Sequence, residues 1–136
     1  MEPFQVHILA ADKTFYEGPC VSLVVPTTDG ERGILAHHSS MIAAVQPGTL
    51  RYRVPGQPVQ LAAVSPGMVK VEKNVVLVLV DSIERPEEID AARARREADQ
   101  AREIILQKKS RQEYQIAQGN LARALNRLRI SSRGLG

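Results

Sequence analysis

The stretch from residue 75 to residue 94, VVLVLVDSIERPEEIDAARA, contains the change of pattern that decides the fold. Its first six residues form a short aliphatic and β-branched run, long enough for a strand and too short for a helix. Pro86 then suits the first turn of a helix, because a missing N–H costs nothing there, and Glu87 and Glu88 complement the helix dipole. We therefore predict strands before residue 86 and helices after it.

The sequence before this stretch has the pattern of short strands. Phe4, Val6 and Ile8 recur at every second position, and residues 21–25 form another β-branched run. Turn-forming dipeptides separate such runs at residues 29–30, 47–48, 55–56, 66–67 and 73–74. Strands and turns at this spacing predict an antiparallel β-sandwich or barrel over residues 1–85.

The sequence after this stretch has two stripes of small apolar residues at helical spacing. The first comprises Ala91, Ala94, Ala98, Ala101 and Ile105, and the second Tyr114, Ala117, Leu121, Ala124 and Leu128. Ser110 and Glu113 match a capping box at the start of the second helix. We predict a two-helix hairpin over residues 86–133.

The alanine-rich faces have an energetic consequence for this hairpin. Each buried methyl group contributes on the order of 1 kcal/mol or less, so the helices are expected to dock weakly. An element with so little packing energy is moved by a ligand or partner with a preference of a few kcal/mol. The sequence thus permits a conformational switch.

Composition and charge limit the function classes. The chain has 136 residues, 43% hydrophobic and 24% charged, which is typical of one globular domain or a small domain with an appendage. No run has the length of a membrane span and no signal-peptide pattern is present, so we expect a soluble intracellular chain. Residues 105–136 hold seven Lys or Arg and one Glu, a net charge of +6 that favours an acidic partner.

Catalytic and metal-binding motifs are not apparent in the sequence. His7, His37 and His38 are not accompanied by Cys or carboxylate residues at ligand spacing. Cys20 has no nearby base, which favours a buried, inert thiol over a nucleophile. No segment matches the phosphate-loop pattern G-x-x-x-x-G-K-[ST]. We predict no metal site and no catalysis by this chain alone.

Four segments resemble, in order and across nearly the whole chain, the epsilon subunits of bacterial F-type ATP synthases. They are GILAHHSSMI at residues 33–42, QPGTL at 46–50, PGMVKV at 66–71 and ERPEEIDAARA at 84–94. Ala36 and Ser40 stand where these subunits usually have proline. The resemblance implies an all-β N-terminal sandwich followed by a C-terminal α-helical hairpin.

The resemblance implies a non-catalytic rotor subunit on the cytoplasmic side of a bacterial membrane, which it would contact only indirectly. Residues 1–85 would bind the gamma subunit and the c-ring, coupling ion-driven rotation to ATP synthesis. The ring-facing loop would contain His38, Ser39, Ser40 and Met41. The hairpin would extend towards the catalytic beta and alpha subunits and inhibit ATP hydrolysis. The basic residues expected in that contact are Arg111, Arg123, Arg127 and Arg129.

The resemblance also implies a regulatory ATP site, with or without Mg²⁺, although the role requires no cofactor. Residues 89–94 match the family motif Ile/Leu-Asp-x-x-Arg-Ala, in which the carboxylate and the guanidinium would address the same ligand. Gln100 stands near the place of an expected arginine. The implied ATP-binding residues are Glu84, Ile89, Asp90, Arg93, Ala94, Arg123 and Arg127.

Two other classes remain open from the residues alone. Arg123, Arg127, Arg129 and Arg133 form a basic helix that is also typical of a nucleic-acid-binding module. The near-absence of aromatic stacking residues and the acidic start of the hairpin argue against it. A free-standing ATP sensor is the third class, and it predicts no binding to a gamma subunit.

Overall fold

The computed structural model describes residues 2–106 and 111–135, and the side chains of residues 2–103 and 115–132. The chain divides into two compact units, residues 1–84 and residues 85–136. The boundary predicted between residues 85 and 86 lies one residue from this division.

In the described part of the first unit, ten strands form a hydrogen-bonded sheet. The strands are β1 Phe4–Ala10, β2 Thr14–Cys20, β3 Ser22–Thr27, β4 Gly30–Ile34, β5 Met41–Val45, β6 Gly48–Arg53, β7 Gln60–Val64, β8 Gly67–Glu72, β9 Val75–Val80 and β10 Ile83–Glu84. The five predicted turn dipeptides all lie at or between the ends of these strands.

The sheet is folded into two halves that form the sandwich. One half has the order β10-β7-β6-β3, with β4 on the other side of β3, and the second has the order β5-β8-β9-β1-β2. The halves are joined where β3 meets β5, at the residue pair Thr27–Val45, with backbone hydrogen bonds on either side of this pair. All pairs are antiparallel except β1 and β9, which are parallel. The prediction of an antiparallel sandwich is therefore wrong for this one pair.

The core of the sandwich is largely aliphatic, and Phe4, Phe15 and Tyr52 are buried aromatic residues within it. Phe4, Val6 and Ile8 are buried while the residues between them are more exposed, which confirms the period-two pattern of β1. Fully buried side chains come from both halves, among them Leu50 from one and Val69 from the other. Burying a side chain of this size contributes roughly 1.5–3 kcal/mol, so the two faces stabilise each other.

The second unit begins with a 3-10 turn and not with an α-helix. Pro86–Glu88 forms this turn, and the backbone N–H of Glu88 donates to the carbonyl of Arg85 at 3.0 Å. Ile89 then has an extended backbone, with φ −78° and ψ 123°. Helix α1 spans Ala91–Leu106 and α2 spans Arg111–Leu135. The predicted helix start at Pro86 is therefore wrong, because the extended residue Ile89 interrupts the helical path.

The helical stripes are largely confirmed. Ala94, Ala98 and Ala101 are buried on α1, as are Ala117 and Ala124 on α2. Leu121 and Leu128 are half-buried, whereas Ala91, the first residue of α1, is exposed and was wrongly included. The side chains of Ile105 and Tyr114 and the predicted Ser110–Glu113 capping box lie outside the described residues. Helix α2 continues to Leu135, beyond the predicted end at residue 133.

Candidate functional site

A carboxylate on α1 connects the two helices of the hairpin. Glu97 Oε1 lies 3.2 Å from Arg93 Nε, one turn earlier on the same helix. Its other oxygen, Oε2, lies 3.3 Å from Arg127 Nη1 on α2. The Arg127 side chain is only 20% exposed, so the interhelical ion pair is partly shielded from solvent. Both oxygens of Glu97 thus contact arginines.

A cavity of about 330 Å³ lies beside this carboxylate, between α1 and α2. It is lined by Glu97, Gln100, Ala101, Asn120 and Arg123. The Arg123 guanidinium donates to the side-chain oxygen of Asn120. The volume is at the lower end of the range of small-molecule sites. Among the described residues, its lining of one cation, one carboxylate, two amides and a methyl group offers polar contacts to a small charged ligand.

The structure brings together three of the residues implied for ATP. Arg93 and Arg127 both contact Glu97, and Arg123 lines the cavity with it. Gln100, at the place of the expected arginine, lines the same cavity. The predicted phosphate-binding arginines therefore converge on one side of the hairpin.

The other implied ATP residues have structural roles or lie elsewhere. The Asp90 carboxylate caps α1, because its Oδ1 accepts the backbone N–H of Arg93 at 3.0 Å. The Arg93 guanidinium is directed to Glu97, so the side chains of Asp90 and Arg93 have separate partners within the hairpin. Ile89 and Ala94 are buried. Glu84 belongs to the first unit, where it pairs with Ala63 of β7 as the last residue of β10.

The sequence did not predict two polar residues of the cavity, Asn120 and the more consequential Glu97. Its spacing from Arg93 is that of an intrahelical ion pair, which is a readable signal. Nothing in the spacing indicates the contact with Arg127, which lies thirty residues later.

The implied ring-facing loop lies between β4 and β5. Ser39 and Ser40 are exposed and His38 is half-buried. His38 Nδ1 lies 2.7 Å from the carbonyl oxygen of Ser39. Met41 is the first residue of β5 and packs partly against the core. Beside the loop, Ile42 is 71% exposed, which leaves an apolar side chain available to a partner.

The start of this loop is fastened to the sandwich by hydrogen bonds. His37 has φ +64°, and its backbone N–H donates to Asn74 Oδ1 at 2.7 Å. His37 Nε2 also lies 2.9 Å from Glu2 Oε2. The loop therefore leaves the sandwich in a defined direction.

Within the described ranges, two features bear on metal and thiol chemistry: the grouping of possible metal ligands and the state of the Cys20 thiol. Residues 2–106 and 111–135 contain no group of three or more His, Cys, Asp or Glu residues that could hold a metal ion. Cys20 is buried, its thiol donates to the carbonyl of Ser22 at 3.0 Å, and burial raises the pKa of that thiol. A raised pKa keeps the thiol protonated and unreactive near neutral pH, as predicted.

The basic residues implied for inhibition are only partly described. Arg129 is exposed on α2, and Arg123 faces the cavity. Arg127 forms an ion pair with Glu97. The side chain of Arg111 lies outside the described residues.

In the described ranges, no helix has both the length and the apolar character that a membrane span requires.

The chain thus combines a β-sandwich that bears an exposed loop with a helical hairpin that bears an arginine cluster. Residues 3–86 match the family described as ATP synthase, Delta/Epsilon chain, beta-sandwich domain. Residues 87–132 match the family described as ATP synthase, Delta/Epsilon chain, long alpha-helix domain. The chain belongs to the delta/epsilon chain family of ATP synthase.

Individual relatives agree with this assignment. The ATP synthase epsilon chain of Caldanaerobacter subterraneus subsp. tengcongensis is 40% identical over 131 residues, covering 96% of this chain and 94% of the relative. That of Ruminococcus albus is 37% identical over 134 residues, covering 98% and 99%. The prediction of a non-catalytic ATP synthase epsilon subunit is confirmed, and it takes the place of the nucleic-acid-binding and free ATP-sensor alternatives.

Solved structures confirm the fold. A chain of the Euglena gracilis mitochondrial ATP synthase, from an OSCP/F1/c-ring structure, aligns with a TM-score of 0.78 at 22% identity, covering 96% of this chain and 80% of that chain. A chain of the Tetrahymena thermophila mitochondrial ATP synthase central stalk and c-ring aligns with a TM-score of 0.69 at 13% identity, covering 93% and 95%. The sandwich-plus-hairpin architecture is therefore shared at low sequence identity.

Proposed function

We propose that this chain is a rotor subunit in the central stalk of an F-type ATP synthase, peripheral to a bacterial cell membrane on its cytoplasmic side. The match of both units, in order, to the two domains of the delta/epsilon family carries this proposal. In this role the subunit couples ion-driven rotation to ATP synthesis and performs no bond chemistry itself. Its work is done through contacts with neighbouring subunits.

The sandwich is the part proposed to bind the gamma subunit and the c-ring. The exposed residues Ser39 and Ser40, beside the apolar side chain of Ile42, offer a mixed surface for the ring. The tether from His37 to Asn74 supports this role, because a loop held at its base loses less conformational freedom on binding. The similar Tetrahymena chain comes from a structure of the central stalk and the c-ring of a mitochondrial ATP synthase.

The hairpin is the part proposed to regulate hydrolysis through the catalytic beta and alpha subunits. Its buried face consists largely of alanine methyl groups, so little packing energy opposes a rearrangement. Residues 105–136 carry seven Lys or Arg against one Glu, and this net charge of +6 complements acidic surfaces on a partner. Both properties suit an element that exchanges one set of contacts for another.

We further infer that ATP, with or without Mg²⁺, binds the hairpin as a regulatory ligand. Arg93, Arg123 and Arg127 supply guanidinium groups of the kind that recognise phosphates. The cavity lined by Gln100 and Asn120 offers amides for the remaining polar atoms. Asp90 contributes indirectly, because it caps the first turn that carries Arg93.

Capture by the gamma subunit tests the stalk role. An immobilised gamma subunit of the same enzyme is incubated with the full chain or with residues 1–85. We expect both to be retained to the same extent, because the proposed contacts lie on the sandwich. Retention of neither chain would contradict the stalk role. Retention of the full chain alone would show that binding to the gamma subunit depends on the hairpin.

Calorimetry with an arginine variant tests the ATP site. Arg93→Ala is expected to weaken ATP binding by about 10- to 150-fold, since a hydrogen bond to a charged group contributes about 1.5–3 kcal/mol. Arg102→Ala is the matched control, because Arg102 lies on the same helix and pairs with Asp99 at 3.7 Å. Equal ATP affinity of Arg93→Ala and the unmodified chain would exclude this site.

A further inference from the structure

The position of Glu97 has a consequence for any anion that enters the hairpin cavity. Its carboxylate contacts Arg93 through one oxygen and Arg127 through the other. An arginine guanidinium recognises carboxylate and phosphate oxygens with the same planar set of donors. Glu97 therefore occupies donors that a phosphate group would otherwise use.

The same carboxylate also faces the cavity itself. Glu97 and Arg123 both line it, together with Gln100 and Asn120. A phosphate approaching Arg123 would meet the negative charge of Glu97 in a partly enclosed space, where the repulsion is stronger than in open water. Binding of an anion here requires Glu97 to move away from the arginines or to tolerate that repulsion.

We propose that Glu97 is an internal counter-anion that lowers the affinity of the hairpin for nucleotide phosphates. It takes the place of the phosphates between Arg93 and Arg127, and so joins α1 to α2 when no nucleotide is bound. This inference rests on the proposed ATP site and assigns the residue that sets its affinity. A hairpin of this kind responds only to high concentrations of nucleotide.

The variant Glu97→Gln tests the proposal, because it keeps the size of the side chain and removes its charge. An ion pair between side chains of this exposure changes an equilibrium constant roughly two- to fivefold, and Glu97 forms two such pairs. We therefore expect Glu97→Gln to bind ATP about fivefold more tightly or better. The affinity for inorganic tripolyphosphate should rise by a similar factor, whereas the affinity for adenosine, which has no phosphate, should not change. The measurement is isothermal calorimetry on the full chain.

Asp99→Asn is the matched control. Asp99 lies two residues from Glu97 on α1, has a 66% exposed side chain and pairs with Arg102. The Asp99→Asn substitution removes a charge of the same sign from the same helix, and it should leave the ATP affinity unchanged. Circular dichroism of each variant checks that the helices are intact, and Glu97→Ala replaces Glu97→Gln if the latter loses helical structure.

The outcomes separate this inference from the function on which it rests. Unchanged or weaker ATP binding by Glu97→Gln, with an affinity that still depends on Arg93, overturns the role of Glu97 alone. An affinity that does not depend on Arg93 overturns the ATP site. Absence of ATP binding by both the unmodified chain and Glu97→Gln overturns both, while gamma capture reports on the stalk role independently. An equal gain in Asp99→Asn would show a general charge effect and also contradict the proposal.

Discussion

Replacing Gly67 with alanine tests the close packing of β8 on β9. A Cβ atom at Gly67 would lie 1.9 Å from the carbonyl oxygen of Leu79 and 2.6 Å from the Cα atom of Val80. These are backbone atoms, which cannot rotate away, so the paired strands must separate locally. Overpacking costs about 1–3 kcal/mol and a lost hydrogen bond about 1 kcal/mol. We expect the free energy of unfolding to fall by about 3 kcal/mol, measured by urea denaturation of the full chain.

Gly33→Ala is the control for this experiment. Gly33 lies on β4, and no atom lies within 4 Å of the position that its Cβ would take. The free energy of unfolding of Gly33→Ala should stay within about 0.5 kcal/mol of that of the unmodified chain. If both alanine variants unfolded at the same urea concentration, the close approach of β8 to β9 would be refuted.

Two further predictions concern the hairpin and the core. Asp90→Ala removes the cap of α1 and should lower hairpin stability by about 1 kcal/mol, seen as earlier thermal loss of the helical circular dichroism signal. Asp90→Asn, an equally good cap, should restore the midpoint, and a midpoint unchanged in Asp90→Ala would argue against capping. Burial raises the pKa of Cys20, so the unfolded chain releases the thiol proton at lower pH than the folded chain. The stability from the buried, protonated thiol is complete below the usual thiol pKa of about 8.5 and declines as pH rises above it. Stability should therefore fall more steeply with alkaline pH in the unmodified chain than in Cys20→Ala, and parallel curves would contradict this.

The strands were predictable because their signals are local. Period-two burial of β1 and the glycine or asparagine turns act over a few residues, where sequence and backbone conformation are directly linked. The parallel pairing of β1 with β9 was not predictable in this way. These strands are not joined by a turn, so no turn chemistry sets their relative direction, which depends on the packing of the whole sandwich.

The start of the hairpin shows how two local signals compete. Pro86 is compatible with the first turn of a 3-10 or an α-helix, and its position alone led to the wrong start. Asp90 is a preferred N-cap residue, and it begins α1 because Ile89 is extended and buried before it. The family motif covers this segment. It did not reveal that the Asp90 carboxylate binds the backbone of Arg93.

The candidate site shows the limit of sequence spacing. The pairing of Arg93 with Glu97 follows from the helical repeat and was accessible to prediction. The contact between Glu97 and Arg127 depends on the rotation of α1 relative to α2 about their axes. That rotation is set by which small side chains interlock across the hairpin, and no local pattern specifies it.

ATP hydrolysis by the assembled enzyme tests the proposed division of labour most directly. The enzyme is assembled with the full chain or with residues 1–85, and both preparations are checked for retained gamma subunit. A higher hydrolysis rate with residues 1–85 is predicted, because the sandwich is proposed to hold the contacts for assembly and the missing hairpin is proposed to inhibit hydrolysis. Equal rates under all nucleotide conditions, with assembly intact, would contradict the regulatory role of the hairpin.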